Sequence, residues 1–416
     1  MQTDGSGATD AASDLVLDAA AVLYAGGQST GMTLAAVDRL NTGLGTAGTL
    51  VPMWASLQLV GPDRTVRVAP GSPTGLNMRR VAATMAVVDR AQDGPLDANA
   101  VRDELASAKS QPISNTVLFS VACATGAGAL AVIFGAQQPA VVLVAALSAA
   151  LGGLARRGVA RLHGDVLTQA FTAALIAGLV GVVADRLHVD DATGLVVLCP
   201  AMVLVPGPHI LNGALDLLSL RVALGAARLG YAALILTAIA TGLILGLGVG
   251  GLGIAVGQTG APVPMGVDVL AAGIAAGSYP VFFSMPYRMI VWPVAIGMLV
   301  HAGHWWALTA WHVDLATAAF CSALIAGVLV VPIAHALRIP FAAVGFASVV
   351  ALVPGVYVFR MLSGLVNFAS APTPELLAAL ASDGAVAALV VAGLASGLAL
   401  PMHAYAVASA NRVTRV

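Results

Sequence analysis

The sequence predicts a mainly α, polytopic membrane protein: about ten transmembrane helices in a five-plus-five inverted repeat, with a small N-terminal cytoplasmic α/β module. Three observations predict it. Of 416 residues, 59% are hydrophobic and only 9% charged, whereas a soluble domain carries about 25% charge. Charge is also unevenly placed, because 19 of the 39 charged residues fall within residues 1–115. Finally, Leu-Val-Pro-Gly occurs twice, at 204–207 and at 352–355, each time closing a long apolar run. The net charge of −1 gives no reason to expect nucleic acid as a partner. Cys123, Cys199 and Cys321 lie in apolar runs without metal-ligand spacing and read as small buried hydrophobes.

The charged part, residues 1–115, is read as the soluble module. Its first 12 residues are Gly/Ser/Thr/Asp-rich and predict disorder; the acidic stretch lacks the basic flank of a signal peptide. Leu15–Tyr24 and Met32–Leu44 read as helices separated by a Gly-rich turn. Val51–Val60 and Thr65–Val68 read as two strands joined at Gly61-Pro62-Asp63-Arg64. Met78–Ala91 and Ala98–Lys109 return to helix, the latter with Asp97 as N-cap.

From residue 116 the pattern changes to apolar runs of membrane-crossing length. Spans are expected near 116–135, 139–155, 166–184, 192–206 and 230–250, forming a first repeat over 116–250. The second repeat, over 266–408, has spans near 266–285, 289–304, 315–334, 339–354 and 384–408. Gly and Ala throughout allow close helix approach in lipid. With the module in the cytoplasm, Arg156, Arg157, Arg161, Arg221, Arg228, Arg288, Arg338, Arg412 and Arg415 fall inside. Only Arg186 and Arg360 fall outside, the former among Asp185, Asp190 and Asp191, so both termini are expected to be cytoplasmic.

The repeat is visible in the letters. Phe171–Gly178 returns as Phe320–Gly327 at an offset of 149, and Asp165 and Thr168 return as Asp314 and Thr317. The Pro-Gly pairs recur at an offset of 148. Five spans per repeat is an odd number, so the second half must enter the membrane upside down. Pro lacks an N–H and breaks a membrane helix. Breaks at corresponding places of two halves point to the substrate site of an alternating-access transporter.

Candidate chemistry gathers at those breaks. Pro206 and Gly207 are followed by Asn212, Asp216 and Ser219 at i, i+4 and i+7, one helix face. Pro354 and Gly355 are followed by Arg360 and Asn367, with Gly364 where the first copy has Asp216. Either these stripes line a substrate path, with Arg360 meeting a carboxylate, or they are the wet faces of helices lying on the membrane. Asp165 and Asp314 are secondary candidates for proton coupling, although an N-cap role is favoured for both. His209, inside the first motif, is the histidine best placed to sense protons. His301, His304 and His312 sit beside Trp305, Trp306 and Trp311, which reads as an interfacial belt in an outer loop rather than a metal site. Gly27-Gln28-Ser29-Thr30-Gly31 matches a hydrolase nucleophile elbow, but a helix precedes it and no histidine occurs before His163, so a helix-helix turn is expected. No Walker A sequence occurs, and no metal or cofactor is expected.

The chain resembles the threonine/serine exporter family. The resemblance rests on Ala25-Gly26-Gly27 after the first helix and above all on the run from Val205 to Asp216, similar to the family's PGxxxxNGxxD signature. It carries over Pro206, Gly207, Asn212, Gly213 and Asp216 as motif positions. The second half resembles the family's smaller C-terminal module, here fused to the first. The resemblance implies secondary efflux of threonine and serine across a bacterial cytoplasmic membrane, driven by the proton motive force, by a protein that is not an enzyme. The expected partners are a small amino acid, protons and the lipid bilayer; a homo-oligomer is left open. Export of a small dicarboxylate and a membrane-anchored hydrolase using Ser29 are the alternatives.

Overall fold

The computed structural model describes residues 4–189, 194–253, 262–336 and 341–413. Asp190, Asp191, Arg338 and Arg415, used above to judge orientation, lie outside the described residues. The N-terminal unit contains α1 (Asp4–Ala25), α2 (Thr30–Leu44), a sheet of β1 (Thr49–Pro52), β2 (Ser56–Val60) and β3 (Val66–Pro70), then α3 (Met78–Arg90) and α4 (Ala98–Ser110). The sheet is antiparallel in the order β1-β2-β3. Leu57 and Leu59 alternate inward from β2, and α1 packs on β2, β3 and the other three helices. Asp97 caps α4 as expected, its side chain accepting from the N–H of Asn99 and Ala100.

Two expectations for this unit are overturned. The stretch expected to be disordered is helical from Asp4, because its acidic residues recur every fourth position and meet basic partners. Arg67 bridges Asp10 and Asp14, and Lys109 lies 2.9 Å from Asp18. The strand expected over 51–60 is two strands, since the chain reverses at Met53–Ala55, where the Met53 N–H donates to the Ser56 carbonyl at 2.9 Å. That turn contains no glycine and was invisible as a break.

The remaining helices are α5 (Thr116–Ile133), α6 (Pro139–Arg161), α7 (Val166–Arg186), α8 (Leu195–Met202), α9 (Gly207–Leu218) and α10 (Val222–Gly248). They are followed by α11 (Met265–Phe282), α12 (Val291–Thr309), α13 (Leu315–Ala336), α14 (Phe341–Val349), α15 (Gly355–Ser370) and α16 (Pro374–Val413). Among the described residues, seven helices are long and apolar enough to cross a membrane, or nine if the bent pairs α8–α9 and α14–α15 each count as one span. The protein is therefore a multi-pass membrane protein, with seven to nine spans by length and composition among the described residues. The helix outside that set is α12, 19 residues long, whose His301 and His304 lower its hydropathy. Leu143, Leu147, Leu151 and Leu154 form an exposed apolar stripe along α6, the face a helix turns to lipid. Cys123 and Cys199 are buried as expected, whereas Cys321 is exposed.

The two halves reuse one packing scheme. Within α5–α10, the neighbours are α5 with α6, α6 with α7, α6 and α7 with α8, α7 with α10, and α9 with α10; α11–α16 repeat every one of these. The α7–α10 and α13–α16 pairs run parallel and meet at glycines. A Cβ on Gly242 would lie 2.5 Å from the Phe171 carbonyl oxygen, and one on Gly397 would lie 2.6 Å from that of Phe320. Only a residue without a side chain permits backbones this close. Phe171 and Phe320 are the residues that the offset of 149 equates. The equivalent helices α5 and α11 run antiparallel to each other, with Phe119 stacked on Phe282 and Thr125 Oγ1 2.8 Å from Ser278 Oγ further along.

Candidate functional site

Both Leu-Val-Pro-Gly motifs adopt the same backbone. Pro206 has φ −78° and ψ 56°, Pro354 φ −79° and ψ 50°. In each, the glycine N–H donates to the valine carbonyl two residues back at 2.8 Å. This is an inverse γ-turn centred on proline. It bends α8 against α9 by 59° and the second pair by 54°. Pro206, Gly207, Pro354 and Gly355 are all buried, and the two breaks meet each other. A Cβ on Gly355 would lie 3.1 Å from Met202, and one on Gly207 3.8 Å from Val353. The cavity between them, lined by Tyr279 and aliphatic side chains, is about 10 Å³, room for at most one water.

Asn212 and Asp216 on α9 are buried at 2% exposure, so a helix lying on the membrane surface does not describe this stripe. They face the N-terminal unit. Thr30 Oγ1 donates to Asp216 Oδ2 at 2.9 Å, and Asn212 Nδ2 donates to the Gly27 carbonyl at 3.4 Å. Arg228, in the second turn of α10 and wholly buried, places Nε 2.9 Å from Asp216 Oδ2. The N–H of Nε is not aimed at that oxygen, so the contact is an ion pair, whereas Nη2 does donate to Thr30 Oγ1 at 3.3 Å. Arg221 adds a looser contact at 3.5 Å. Gly213 makes the approach feasible, since a Cβ there would press on Leu229 at 3.0 Å and on Arg228 at 3.2 Å. The Arg228 guanidinium lies 5.1 Å over the Tyr24 ring; Tyr24 donates to the Met53 carbonyl, and burial pushes its phenol up to about 12. Ser219 is the C-cap residue of α9, half-buried and outside this network.

Ser29 is the N-cap of α2, its Oγ accepting from Met32 N–H, and α1 rather than a strand precedes it. The Gly27–Gly31 stretch is thus the expected helix-helix turn, used to contact α9.

A larger cavity, about 200 Å³, opens beside the first break, between residues 74–76 and the ends of α5, α6, α7 and α11. Its lining includes Pro206, His209, Gln169, Arg156 and Arg157. The Arg156 guanidinium stacks 5.0 Å over Phe282, with Nε and Nη1 shut off from solvent and without a hydrogen-bond partner. Arg157 stacks 4.1 Å over Phe119 and donates to the Ser114 carbonyl at 3.1 Å. His209 packs edge-on against Tyr231, 5.2 Å between ring centres. Among the described residues no acidic side chain lines this cavity.

The second half is arranged differently. Arg360, expected as a free anion clamp, lies 3.2 Å from Asp383 Oδ2 on α16 and is paired. Asn367 is exposed and Gly364 packs on Leu380. Asp165 and Asp314 are exposed N-caps, accepting from Thr168 N–H at 2.7 Å and Thr317 N–H at 3.0 Å. Hydrogen bonds from those threonines hold both carboxyls below the usual range, which removes them as buried coupling groups. His301 and His304 are not in an outer loop; they lie within α12, at 4% and 9% exposure. Trp306 and Trp311 are exposed as a belt requires.

Sequence reasoning passed over Arg156, Arg228 and Asp383 as site residues. The signal was present, since each lies inside a membrane-grade helix, where an ionisable side chain is rare and functional by default. The first two were counted only as evidence of orientation.

No curated protein and no solved structure matches the chain. Residues 14–250 match the family model ThrE, and residues 268–404 match a second model described as Threonine/Serine exporter, ThrE. Together they span both halves, and the first alone covers more than half of the sequence: the chain belongs to the threonine/serine exporter family and is a membrane transporter, with both family modules in one polypeptide.

Proposed function

We propose that the protein is a secondary exporter of threonine and serine across a bacterial plasma membrane, driven by the proton motive force. In this reading the substrate carboxylate is held at Arg156 in the cavity beside the first break. The observation that carries it is a guanidinium in the cavity wall with two unpartnered nitrogens and, among the described residues, no acidic side chain lining the cavity. A cation without a counter-ion in a partly desolvated wall is costly, and a carboxylate-bearing ligand offsets that cost through charge-assisted hydrogen bonds. Leu204 and Val205, between α8 and the break, line the same cavity. Pro206 has no N–H to donate back along the chain, and in this reading backbone carbonyls of the unwound segment accept from the substrate ammonium.

Ten spans in an inverted repeat support alternating access. α12 and each broken pair are counted as spans, and the antiparallel run of α5 and α11 is the relation an inverted repeat requires. The arginine bias places both termini and the N-terminal module in the cytoplasm, so the Arg156 cavity loads from inside. Asp216–Arg228 with Thr30 then acts as an inner latch, and Arg360–Asp383 as its outer counterpart.

Counterflow of radiolabelled threonine in proteoliposomes, with and without a pH gradient, tests this reading. Threonine and serine are expected to compete, and Arg156→Ala is expected to raise KM about tenfold or more, the equivalent of one charged hydrogen bond. A second reading, export of a dicarboxylate, draws on the pairing of Arg156 with Arg157 and the lack of an acidic lining residue. Competition by succinate but not threonine would establish it in place of the first.

A further inference from the structure

In the second half, three helices bring together ionisable groups that the carboxylate site does not use. Asp268 lies in the first turn of α11, His301 and His304 one turn apart on α12, and Ser322 two turns into α13. Asp268 Oδ2 is 2.9 Å from His301 Nδ1, the two imidazole centres are 6.0 Å apart, and Ser322 Oγ is 3.3 Å from His304 Nδ1. None of the four is more than 9% exposed. His301 Nε2 is buried without a partner, so the chain of contacts has an open end.

The cluster lies near the start of α11 and toward the end of α12, the ends farthest from the N-terminal unit, which docks on Phe283 and Ser284 just past α11. Trp305 closes over it by donating Nε1–H to the Val263 carbonyl at 3.0 Å. Among the described residues the facing elements bring no compensating cation. α13 contributes Ser322 here; its titratable groups are the exposed Cys321 and, at its opposite end, His335, and the described residues of α14 hold none. α5 contributes Thr125 against Ser278, deeper along α11.

With one proton the Asp268–His301 pair is neutral overall, as imidazolium with carboxylate or as imidazole with carboxylic acid. The 2.9 Å contact lets one proton be shared between carboxylate and imidazole, and the unpartnered His301 Nε2 offers a second nitrogen through which that proton can be exchanged. His304 and Ser322 continue the route into α13, the helix that packs along α16.

We propose that Asp268, His301 and His304 form the proton-binding site of the transporter, loaded from the face opposite the N-terminal module. This rests on the reading of the protein as a proton-driven exporter. In mechanism, a proton from the outer face binds the pair and crosses as substrate leaves, with no bond other than O–H and N–H made or broken.

The test uses the full chain in proteoliposomes, comparing the parent with Asp268→Asn, His301→Gln and His304→Gln. Two rates of radiolabelled threonine movement are read, one driven by a pH gradient and one by counterflow at equal pH. The proposal expects the gradient-driven component to fall about tenfold or more in Asp268→Asn and His301→Gln while counterflow persists. A gradient response in the parent that survives in both variants overturns the site and leaves proton-driven export standing. No gradient response in the parent overturns proton drive and the site together. Loss of counterflow along with driven transport in all three variants, with unchanged elution and thermal unfolding, reassigns the cluster to substrate holding and also overturns the proposal.

Discussion

The two halves share a scaffold and differ in charge. Each has the same proline-centred γ-turn, the same glycine-on-carbonyl seam and the same Asp-to-threonine cap. Each also joins the helix after its break to its last helix by an Asp–Arg pair, but with the partners exchanged. In the first half Asp216 is on α9 and Arg228 on α10; in the second Arg360 is on α15 and Asp383 on α16. The burial differs too. Arg228 is sealed beneath the N-terminal unit, whereas the Arg360 side chain is 17% exposed. At the ends of α5 and α11 the contrast repeats, with Phe119 against Arg156 and Arg157 in one half and Asp268 against His301 in the other. A repeated backbone thus carries two chemistries, because small residues and prolines set how the helices pack while a few side chains set what they hold.

The largest expected effect breaks the comparison at the ion pairs. Arg228→Ala leaves Asp216 buried without its cation and should cost about 3–5 kcal/mol. Arg360→Ala exposes Asp383 to a wetter site and should cost about 1–3 kcal/mol. Thermal or denaturant unfolding in detergent reads both. The double variant Asp216→Ala with Arg228→Ala should recover part of the loss, because coupled neighbours are non-additive; additive losses would mean that the two side chains act separately.

A second pair of variants asks whether the halves pack alike. Gly242→Leu and Gly397→Leu each drive a side chain into a backbone carbonyl. Each should cost about 1–3 kcal/mol, and by similar amounts if the seam is equivalent. A neutral result at either glycine would separate the halves.

Smaller in stability but not in transport are Pro206→Ala and Pro354→Ala. Loss of the preset φ should cost about 0.4–1 kcal/mol, while counterflow of threonine should fall sharply because the bend is free to straighten. If both variants transport normally, the kink is only a way to end a helix.

The smallest effect is expected at the caps. Asp165→Ala and Asp314→Ala should lower the unfolding temperature slightly and equally, with transport unchanged. The sign with pH follows from the direction of the shift. A carboxyl held below its unfolded value stabilises the protein at pH above about 4. That contribution is lost as pH falls through the lower, folded value. A pH titration of unfolding in the parent and the two variants should therefore converge in acid.

Much of this was legible in the chain itself. The caps at Asp97, Asp165 and Asp314, the matched breaks and the Phe171–Gly178 repeat are local signals, readable because proline, glycine and capping residues act on their own backbone. What failed were inferences about surroundings. Arg360 looked unpaired because Asp383 is 23 positions away, and His301 and His304 looked interfacial because two tryptophans follow them. The disorder expected for residues 1–12 ignored Arg67, which is distant in the chain but adjacent in space.

By itself the sequence determined a membrane protein with a charged N-terminal unit, two proline breaks and two related halves, because composition and backbone chemistry are carried residue by residue. Only the tertiary structure decided that the two breaks meet, that Asp216 is paired with Arg228 and Thr30, and that Arg156 has no counter-ion among the described residues. Pairing and burial of charge depend on which helices lie side by side, and that is a property of the packed bundle rather than of any one stretch of it.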